Sequence, residues 1–226
     1  MPVEAGLLTG AAYLLGSVPG AYIVARLLRG IDIRDYGSGS VSGTNIWHTI
    51  SRRASIPVFL IDIAKGILPV LLAKCLEMDL PWQVAAGLAG IVGHNWPLFL
   101  RFHGGRGLVT AGGVALVIAP GDLLVAGLVI LAGFLFFRRF PLAVLLGVLV
   151  LPLAGLAFGE PPPIIWGCLG ILFLVILKRF QGNHPPPVSS GDKWLPVRRL
   201  LFDRDIRDRG TWIARKPPDR NDEAGQ

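Results

Sequence analysis

Residues 122–158 read DLLVAGLVILAGFLFFRRFPLAVLLGVLVLPLAGLAF, two long apolar runs joined by a pair of arginines. A helix crosses the hydrocarbon core of a bilayer in about 20 residues, so each run is close to the length of one span. Backbone polar groups exposed to lipid must be satisfied within the segment, which favours helices over irregular structure. This stretch therefore predicts a membrane-spanning helical hairpin and, with it, an all-α polytopic membrane protein.

Similar apolar runs lie on both sides of the hairpin. Of the 226 residues, 52% are hydrophobic and 16% are charged, a composition typical of an integral membrane protein and not of a soluble domain. We predict about seven transmembrane helices, at residues 5–28, 55–76, 83–100, 107–119, 122–137, 140–158 and 163–178. The fourth run is short, so we expect its glycine-rich start to lie below the membrane surface, within protein or beside a polar cavity.

The charged residues between the runs orient the bundle. Arg138 and Arg139 follow the fifth run, and basic residues also follow the first, third and seventh. The opposite connections contain one lysine and four acidic residues: Lys74, Glu77, Asp79, Asp122 and Glu160. The positive-inside bias then places the N-terminus outside and the C-terminus in the cytoplasm. Because these flanks explain the net charge of +7, we expect no nucleic-acid partner. Cys75 and Cys168 lie inside apolar runs without metal-ligand spacing, so we expect no metal site.

Two glycine-rich polar stretches fall on the predicted cytoplasmic side. The first, GSGSVSGTN at 37–45, combines hydroxyls and an amide with glycines that let backbone N–H groups approach an anion. The second runs from GHNWP at 93–97 to HGGRG at 103–107, where Arg106 precedes a helix whose first N–H groups favour an anion. Both suit phosphate binding, and a flexible Ser/Gly loop is the alternative interpretation of the first.

Asp62 and Lys65 lie inside the second predicted span. A charged side chain at the centre of a span costs about 2.5–3.5 kcal/mol on insertion scales, and pairing at i,i+3 offsets part of that cost. Either the pair is structural, or Lys65 contributes positive potential to a cavity while Asp62 holds it in place.

Taken together, these motifs resemble those of the bacterial acyl-phosphate-dependent glycerol-3-phosphate acyltransferases, which are seven-helix inner-membrane enzymes. The resemblance covers about residues 5–183. It rests on LLGS at 14–17, the 37–45 loop, Asp62 with Lys65-Gly66 and Pro69, Gly93-His94 with Pro97, and GGRG at 104–107 with Thr110. It implies a membrane acyltransferase domain at 1–183 and a cytoplasmic polar tail at 184–226, which is either partly disordered or bound to the membrane surface.

The resemblance also implies the reaction. A fatty acyl group passes from acyl phosphate to the 1-hydroxyl of sn-glycerol 3-phosphate, giving lysophosphatidic acid and phosphate in phospholipid synthesis. No metal, cofactor or protein nucleophile is implied, because the donor carries its own leaving group and the site supplies proximity and charge stabilisation. The implied partners are the two substrates, membrane lipids and, functionally, a phosphate acyltransferase. The active site would face the cytoplasm at the bacterial inner membrane.

The resemblance implies roles for the residues that match the family motifs. The catalytic candidates are Ser38, Asn45, His94, Arg106 and Asn183. The candidates for binding substrate phosphate are Gly37, Gly39, Ser40, Ser42, Gly43, Thr44, Lys65, Gly104, Gly105 and Gly107.

The chain departs from the family pattern mainly on the expected acceptor side. His48 stands where an arginine is usual and Phe180 where a histidine is usual, whereas Arg106 replaces a lysine and keeps the cation. We therefore consider His48, Arg52 and Arg179 as candidates for acceptor binding. Two alternatives stay open: a family member that uses a different acceptor, and a non-catalytic membrane carrier or channel, which a charged pair inside a span would also suit.

Overall fold

The computed structural model describes residues 2–183 and 193–217. Within these residues the chain forms α-helices, two short 3-10 helices and no strand. The α-helices are α1 (Pro2–Ser17), α2 (Gly20–Arg29), α3 (Gly43–Thr49), α4 (Arg52–Cys75), α5 (Leu80–Asn95), α6 (Leu108–Ile118), α7 (Pro120–Phe137), α8 (Phe140–Phe158), α9 (Pro162–Gln181), α10 (Leu195–Phe202) and α11 (Arg209–Ile213). The all-α prediction is confirmed for the described residues.

Five segments are long and apolar enough to cross a membrane. They are Val3–Arg29, Arg52–Cys75, Pro120–Phe137, Phe140–Phe158 and Pro162–Gln181. The other two predicted runs are also helical, but α5 has 16 residues and α6 only 11. The first segment is interrupted between α1 and α2, because Pro19 has no N–H to continue the helical ladder and its ring clashes with the preceding turn.

Glycines let four of the helices approach one another closely. A Cβ atom added to Gly16 of α1 would meet the carbonyl of Gly90 in α5, and one added to Gly66 of α4 would meet the backbone of Thr110 in α6. Small residues at such crossings are the usual means of packing helices in membranes, where lipid offers no hydrophobic driving force. The close crossings bring the ends of α5 and α6, which carry the second polar stretch, next to α4.

Helices α7, α8 and α9 pack beside this centre. Helices α7 and α8 form the antiparallel hairpin predicted from residues 122–158, with its turn at Arg138 and Arg139. Large apolar side chains such as Leu124, Phe136 and Trp166 are exposed on the outer surface, as expected for helices that face hydrocarbon.

A second apolar cluster fixes the first polar stretch to the bundle. Ile33 and Ile46, on either side of the 37–45 loop, are fully buried against Val58 of α4 and Leu100 of the α5–α6 connection. Both ends of the loop are therefore held by the core.

The chain beyond α9 returns to the bundle. Residues 193–217, which we call the C-terminal strap, contain α10 and α11. The carbonyl of Leu200 in the strap accepts a hydrogen bond from Arg179 of α9 (2.7 Å), and the carbonyl of Arg215 accepts one from the backbone N–H of Gly37 (3.0 Å). Our expectation for the tail, partial disorder or a position on the membrane surface, stays a prediction. Residues 193–217 pack on the protein, whereas 184–192 and 218–226 lie outside the described residues.

Candidate active site

Asn45 organises the 37–45 loop. Its side-chain amide is within 3.2 Å of the backbone carbonyls of Ile33, Tyr36 and Ser40, and its Oδ1 accepts a hydrogen bond from the backbone N–H of Ser38 at 3.2 Å. Buried amides are stable only when their donors and acceptors are satisfied, and Asn45 meets that condition with the loop backbone. These bonds oppose the interpretation of the stretch as a flexible linker.

The hydroxyls of the loop differ in their availability. Ser42 caps α3 by accepting the backbone N–H of Asn45, and the Ser38 hydroxyl accepts the N–H of Ser40 at 3.3 Å. The Ser40 hydroxyl is buried and has no hydrogen-bond partner among the described residues, whereas Thr44 is exposed. Ser40 therefore offers a hydroxyl that a ligand oxygen could satisfy.

The three glycines of the loop are favoured by two different features, the backbone conformation and close packing. Gly37 and Gly39 adopt φ of +54° and +67°, which disfavour any side chain. Gly43 packs against the ring of Phe59, 3.0 Å from where a Cβ would lie. The N–H of Gly37 is already bonded to Arg215 of the strap, so an anion could use it only if that contact opened.

The second polar stretch folds over His94. Gly105 donates its N–H to the carbonyl of His94 at 3.0 Å, and a Cβ on Gly105 would meet Nε2 of the same histidine. Gly104 accepts a hydrogen bond from the N–H of Val41 at 3.4 Å. This bond joins the two polar stretches, which are far apart in the sequence. Gly107, at φ +69°, then turns the chain into α6.

Asp62, Lys65 and His94 form one buried polar cluster. The ammonium group of Lys65 lies 2.9 Å from Oδ1 of Asp62, and Nδ1 of His94 lies 3.4 Å from the same oxygen. All three side chains are almost completely buried. Removing one member of a buried pair typically costs about 3–5 kcal/mol, because the other charge is left uncompensated. Of the two interpretations of Lys65, the geometry favours the ion pair, with Asp62 also positioning His94.

Arg106 is held by a carboxylate of the strap. Its guanidinium forms an ion pair with the side chain of Asp203 and donates to the Asp203 carbonyl at 2.9 Å. Burial, and after it the positive charge of Arg179, lowers the pKa of Arg106 to about 9, so the group is still a cation at neutral pH. The site therefore contains a desolvated cation that already binds an anionic group.

The end of α9 lies beside Arg106. Arg179, which is buried, donates to the carbonyls of Leu200 at 2.7 Å and Pro141 at 3.0 Å. It thus fastens the strap to the bundle, a role that sequence reasoning did not predict for it. The side-chain nitrogen of Asn183 is buried and has no partner among the described residues.

His48 and Arg52 follow the loop, in α3 and at the start of α4. Arg52 is exposed, and its guanidinium lies 5.3 Å from the ring centroid of Trp47, a cation–π contact. Desolvation, and after it the positive charge of Arg209, lowers the pKa of His48 from its usual 6.5, so the imidazole is neutral at pH 7. Neither residue supplies a free cation next to Ser38.

A small cavity adjoins the loop. Its volume is about 20 Å³, close to the space needed for one water molecule. The lining residues are Ser38, Thr44, Asn45, His48, Trp212 and Ile213. Trp212 and Ile213 of the strap therefore cover part of the loop.

Sequence reasoning missed the strap residues at the site, namely Asp203, Trp212, Ile213 and Arg215. The tail has the composition of a solvated segment, and only its aromatic residues, such as Trp212, indicated packing. The described residues contain no group of three His, Cys, Asp or Glu side chains that could hold a metal ion.

The sequence matches a known protein family and is similar to known proteins of two bacteria. The family model described as "Glycerol-3-phosphate acyltransferase" matches residues 6–185. Glycerol-3-phosphate acyltransferase 4 of Dehalococcoides mccartyi (strain CBDB1) is 42% identical over 214 residues, covering 91% of each chain. The glycerol-3-phosphate acyltransferase of Prochlorococcus marinus (strain MIT 9313) is 41% identical over 174 residues, covering 77% of this chain and 75% of the relative.

Two solved structures share the fold. The crystal structure of PlsY, an integral membrane glycerol 3-phosphate acyltransferase, in its glycerol 3-phosphate form superposes with a TM-score of 0.75 at 32% identity, covering 91% of this chain and 96% of that one. The lysophosphatidic acid form gives 0.74 at 30% identity, covering 93% and 98%.

Proposed function

The chain belongs to the glycerol-3-phosphate acyltransferase family, and we propose that it transfers a fatty acyl group from an acyl phosphate to the 1-hydroxyl of sn-glycerol 3-phosphate. The products are lysophosphatidic acid and inorganic phosphate. The names of its relatives and of its structural neighbours support glycerol 3-phosphate as the acceptor and an enzyme instead of a carrier or channel. The acyl phosphate donor is what the resemblance described above implies, and the site supports a phosphate-bearing substrate.

The observation that carries the donor assignment is the ion pair of Arg106. A guanidinium that is largely buried beside Gly104 and Gly105 holds a carboxylate of Asp203. Guanidinium groups bind carboxylates and phosphates through the same fork of N–H donors. The phosphate of an acyl phosphate can therefore take the place of the Asp203 carboxylate, with the Ser40 hydroxyl and the amide of Asn183 as further donors.

The chemistry then requires few protein groups. The 1-hydroxyl oxygen of the acceptor attacks the acyl carbonyl carbon, a new C–O bond forms, and the C–O bond to the phosphate breaks. The phosphate leaves with the electron pair of that bond and takes up the hydroxyl proton. Arg106 stabilises the charge that develops on the leaving phosphate, which is the kind of electrostatic assistance that contributes most in enzyme sites.

His94 and Asn45 act as positioning residues in this scheme. Nε2 of His94 faces Gly105, and its Nδ1 is held by Asp62, so the ring supports the turn that carries Arg106. The amide of Asn45 holds the loop in which Ser38 and Ser40 lie. Loss of either side chain would misplace groups that contact substrate, and displacements of about 1 Å can lower rates by about 100-fold.

The proposal includes the membrane arrangement. The protein would cross the bacterial inner membrane seven times over residues 1–183, with the N-terminus outside and the active site on the cytoplasmic side. The arginine pair at the α7–α8 turn supports this orientation. Support also comes from the 184–226 tail, whose strap contacts both polar stretches at the same end of the bundle. A phosphate acyltransferase that makes the donor would be the functional partner.

The test is acyl transfer by purified protein. Wild type given acyl phosphate and glycerol 3-phosphate should release phosphate and lysophosphatidic acid, both measured directly. Arg106→Ala should lower kcat/KM by at least about 100-fold, the usual loss when one charge-stabilising group is removed. Arg53→Ala removes an exposed arginine elsewhere and should leave kcat/KM within about twofold. Inactive wild type with glycerol 3-phosphate and with other polyol phosphates would refute the proposal.

A further inference from the structure

A second cavity lies between the C-terminal strap and the first helices, and we call it the basic pocket. Its volume is about 380 Å³, within the range of pockets that bind small molecules. Its polar lining consists of Arg29, Tyr36, His48, Thr49, Arg215 and Lys216. Three of these side chains are cations, and no Asp or Glu is among the described residues that line the pocket.

The basic pocket adjoins the candidate active site. His48 lines both the basic pocket and the small cavity beside Ser38 and Asn45. A small molecule whose anionic end lay in the basic pocket would therefore extend toward the 37–45 loop. That loop is bonded to the turn that carries Arg106, through the N–H of Val41 and the carbonyl of Gly104.

The guanidinium of Arg215 has one terminal nitrogen without a hydrogen-bond partner among the described residues. One terminal nitrogen of its guanidinium pairs with Asp205 at 3.2 Å, and Asp205 also accepts a hydrogen bond from the Trp212 indole at 3.0 Å. The other terminal nitrogen, Nη1, is buried and has no partner among the described residues. Buried donors are rarely left unsatisfied, so Nη1 is a donor that an oxygen atom of a ligand in the basic pocket could satisfy. The ion pair with Asp205 holds the Arg215 side chain in place before a ligand binds.

We propose that the basic pocket binds the phosphate of the acceptor, with Arg215 and Lys216 of the C-terminal strap as its ligands. This inference rests on the proposed function and extends it, because it makes the strap a part of the acceptor site. A phosphomonoester suits the lining: a guanidinium can bind two of its oxygens at once, and an ammonium adds a point charge. The hydroxyl end of the acceptor then lies toward Ser38 and the donor.

Two of the residues that we considered for acceptor binding make other contacts in the structure. Arg52 stacks on Trp47, and Arg179 is bonded to backbone carbonyls of the strap and of α8. The acceptor cations come instead from residues beyond 185, where the match to the family model ends. The alignment with the Dehalococcoides mccartyi relative covers 91% of the 226 residues, which is more than the 183 that precede the tail.

Lys216→Gln in the full chain tests the proposal. Lys216 is exposed and lines the pocket, so its loss should not disturb folding. We expect the KM for glycerol 3-phosphate to rise about tenfold, as for the loss of one charge-assisted contact, with kcat and the KM for acyl phosphate unchanged. Lys216→Arg should restore the KM. Lys193→Gln, at the other end of the strap, removes the same charge and should have no effect. Arg215→Gln should raise the same KM at an unchanged melting temperature.

The outcomes separate this inference from the proposed function. If wild type proves inactive, the shift in melting temperature caused by glycerol 3-phosphate still reports binding, and its loss in Lys216→Gln supports the pocket. An unchanged KM for glycerol 3-phosphate in both variants would overturn the proposal. So would a loss of binding to vesicles that contain phosphatidic acid without a change in that KM, because the pocket would then hold a lipid headgroup.

Discussion

Replacing Asp203 by asparagine tests whether Arg106 must exchange a carboxylate for a phosphate. The side chains of Arg106 and Asp203 are 13% and 18% exposed, so their contact is stronger than that of a solvent-exposed pair, which contributes about 0–1 kcal/mol. A hydrogen bond to a charged group contributes about 1.5–3 kcal/mol. A phosphate that binds Arg106 has to replace this contact in the wild type. The asparagine side chain keeps the shape of the aspartate but loses its charge. We therefore expect phosphate binding to gain about 1.5 kcal/mol, the lower end of that range.

The expected result is a KM for acyl phosphate about tenfold lower in Asp203→Asn, with kcat unchanged. Asp203 adopts φ +56°, and asparagine accepts such values readily, so the backbone should not move. The assay is phosphate release at varied acyl phosphate and saturating glycerol 3-phosphate. Asp35→Asn, at an exposed carboxylate, is the matched control. A higher KM, or a lower kcat at the same KM, would refute the reasoning and make Asp203 a group that positions Arg106.

Two further predictions follow from the packing and from the proposed orientation. Gly105→Ala should lower kcat/KM by about 100-fold, because the new Cβ meets Nε2 of His94, whereas Gly112→Ala, with no atom within 4 Å of its Cβ, should stay within about twofold. Equal losses in the two variants would contradict this. Cys75 is exposed and Cys168 buried, so a membrane-impermeant maleimide added to intact cells should label Cys75 alone. Labelling that requires permeabilised cells would reverse the proposed orientation.

The helices could be predicted from the sequence because their boundaries follow local chemistry. The runs predicted at 122–137 and 140–158 correspond to the observed helices Pro120–Phe137 and Phe140–Phe158. The boundary between them was predictable because arginines are costly to place in hydrocarbon. The break at Pro19 was not predicted. A proline inside an apolar run can be tolerated, as Pro57 and Pro69 are within α4, and which of these outcomes occurs depends on the neighbouring helices.

From charge alone, the two glycine-rich stretches were predicted to lie on one side of the membrane, and that side stays a prediction. The structure does bring the stretches together, through the hydrogen bond from Val41 to Gly104. The sharing of Asp62 by Lys65 and His94 depends on how α4 crosses α5, which no local pattern encodes. The strap was the largest omission. Its polar composition suits a solvated tail, and the few contacts that hold it, such as those of Arg179 and Arg106, involve groups distant in the sequence.

The shortness of α6 has a consequence for how the enzyme meets its substrates. Eleven residues rise only about 16 Å, roughly half of the hydrocarbon thickness, so in the proposed arrangement the turn that carries Arg106 would lie below the membrane surface, at the depth of the lipid chains. Under the proposed function, the acceptor would reach this turn by diffusion through the cytosol and the acyl donor by lateral diffusion within one leaflet. The reaction rate would therefore follow the mole fraction of donor in the lipid, and dilution with inert lipid would slow an enzyme whose aqueous surroundings had not changed.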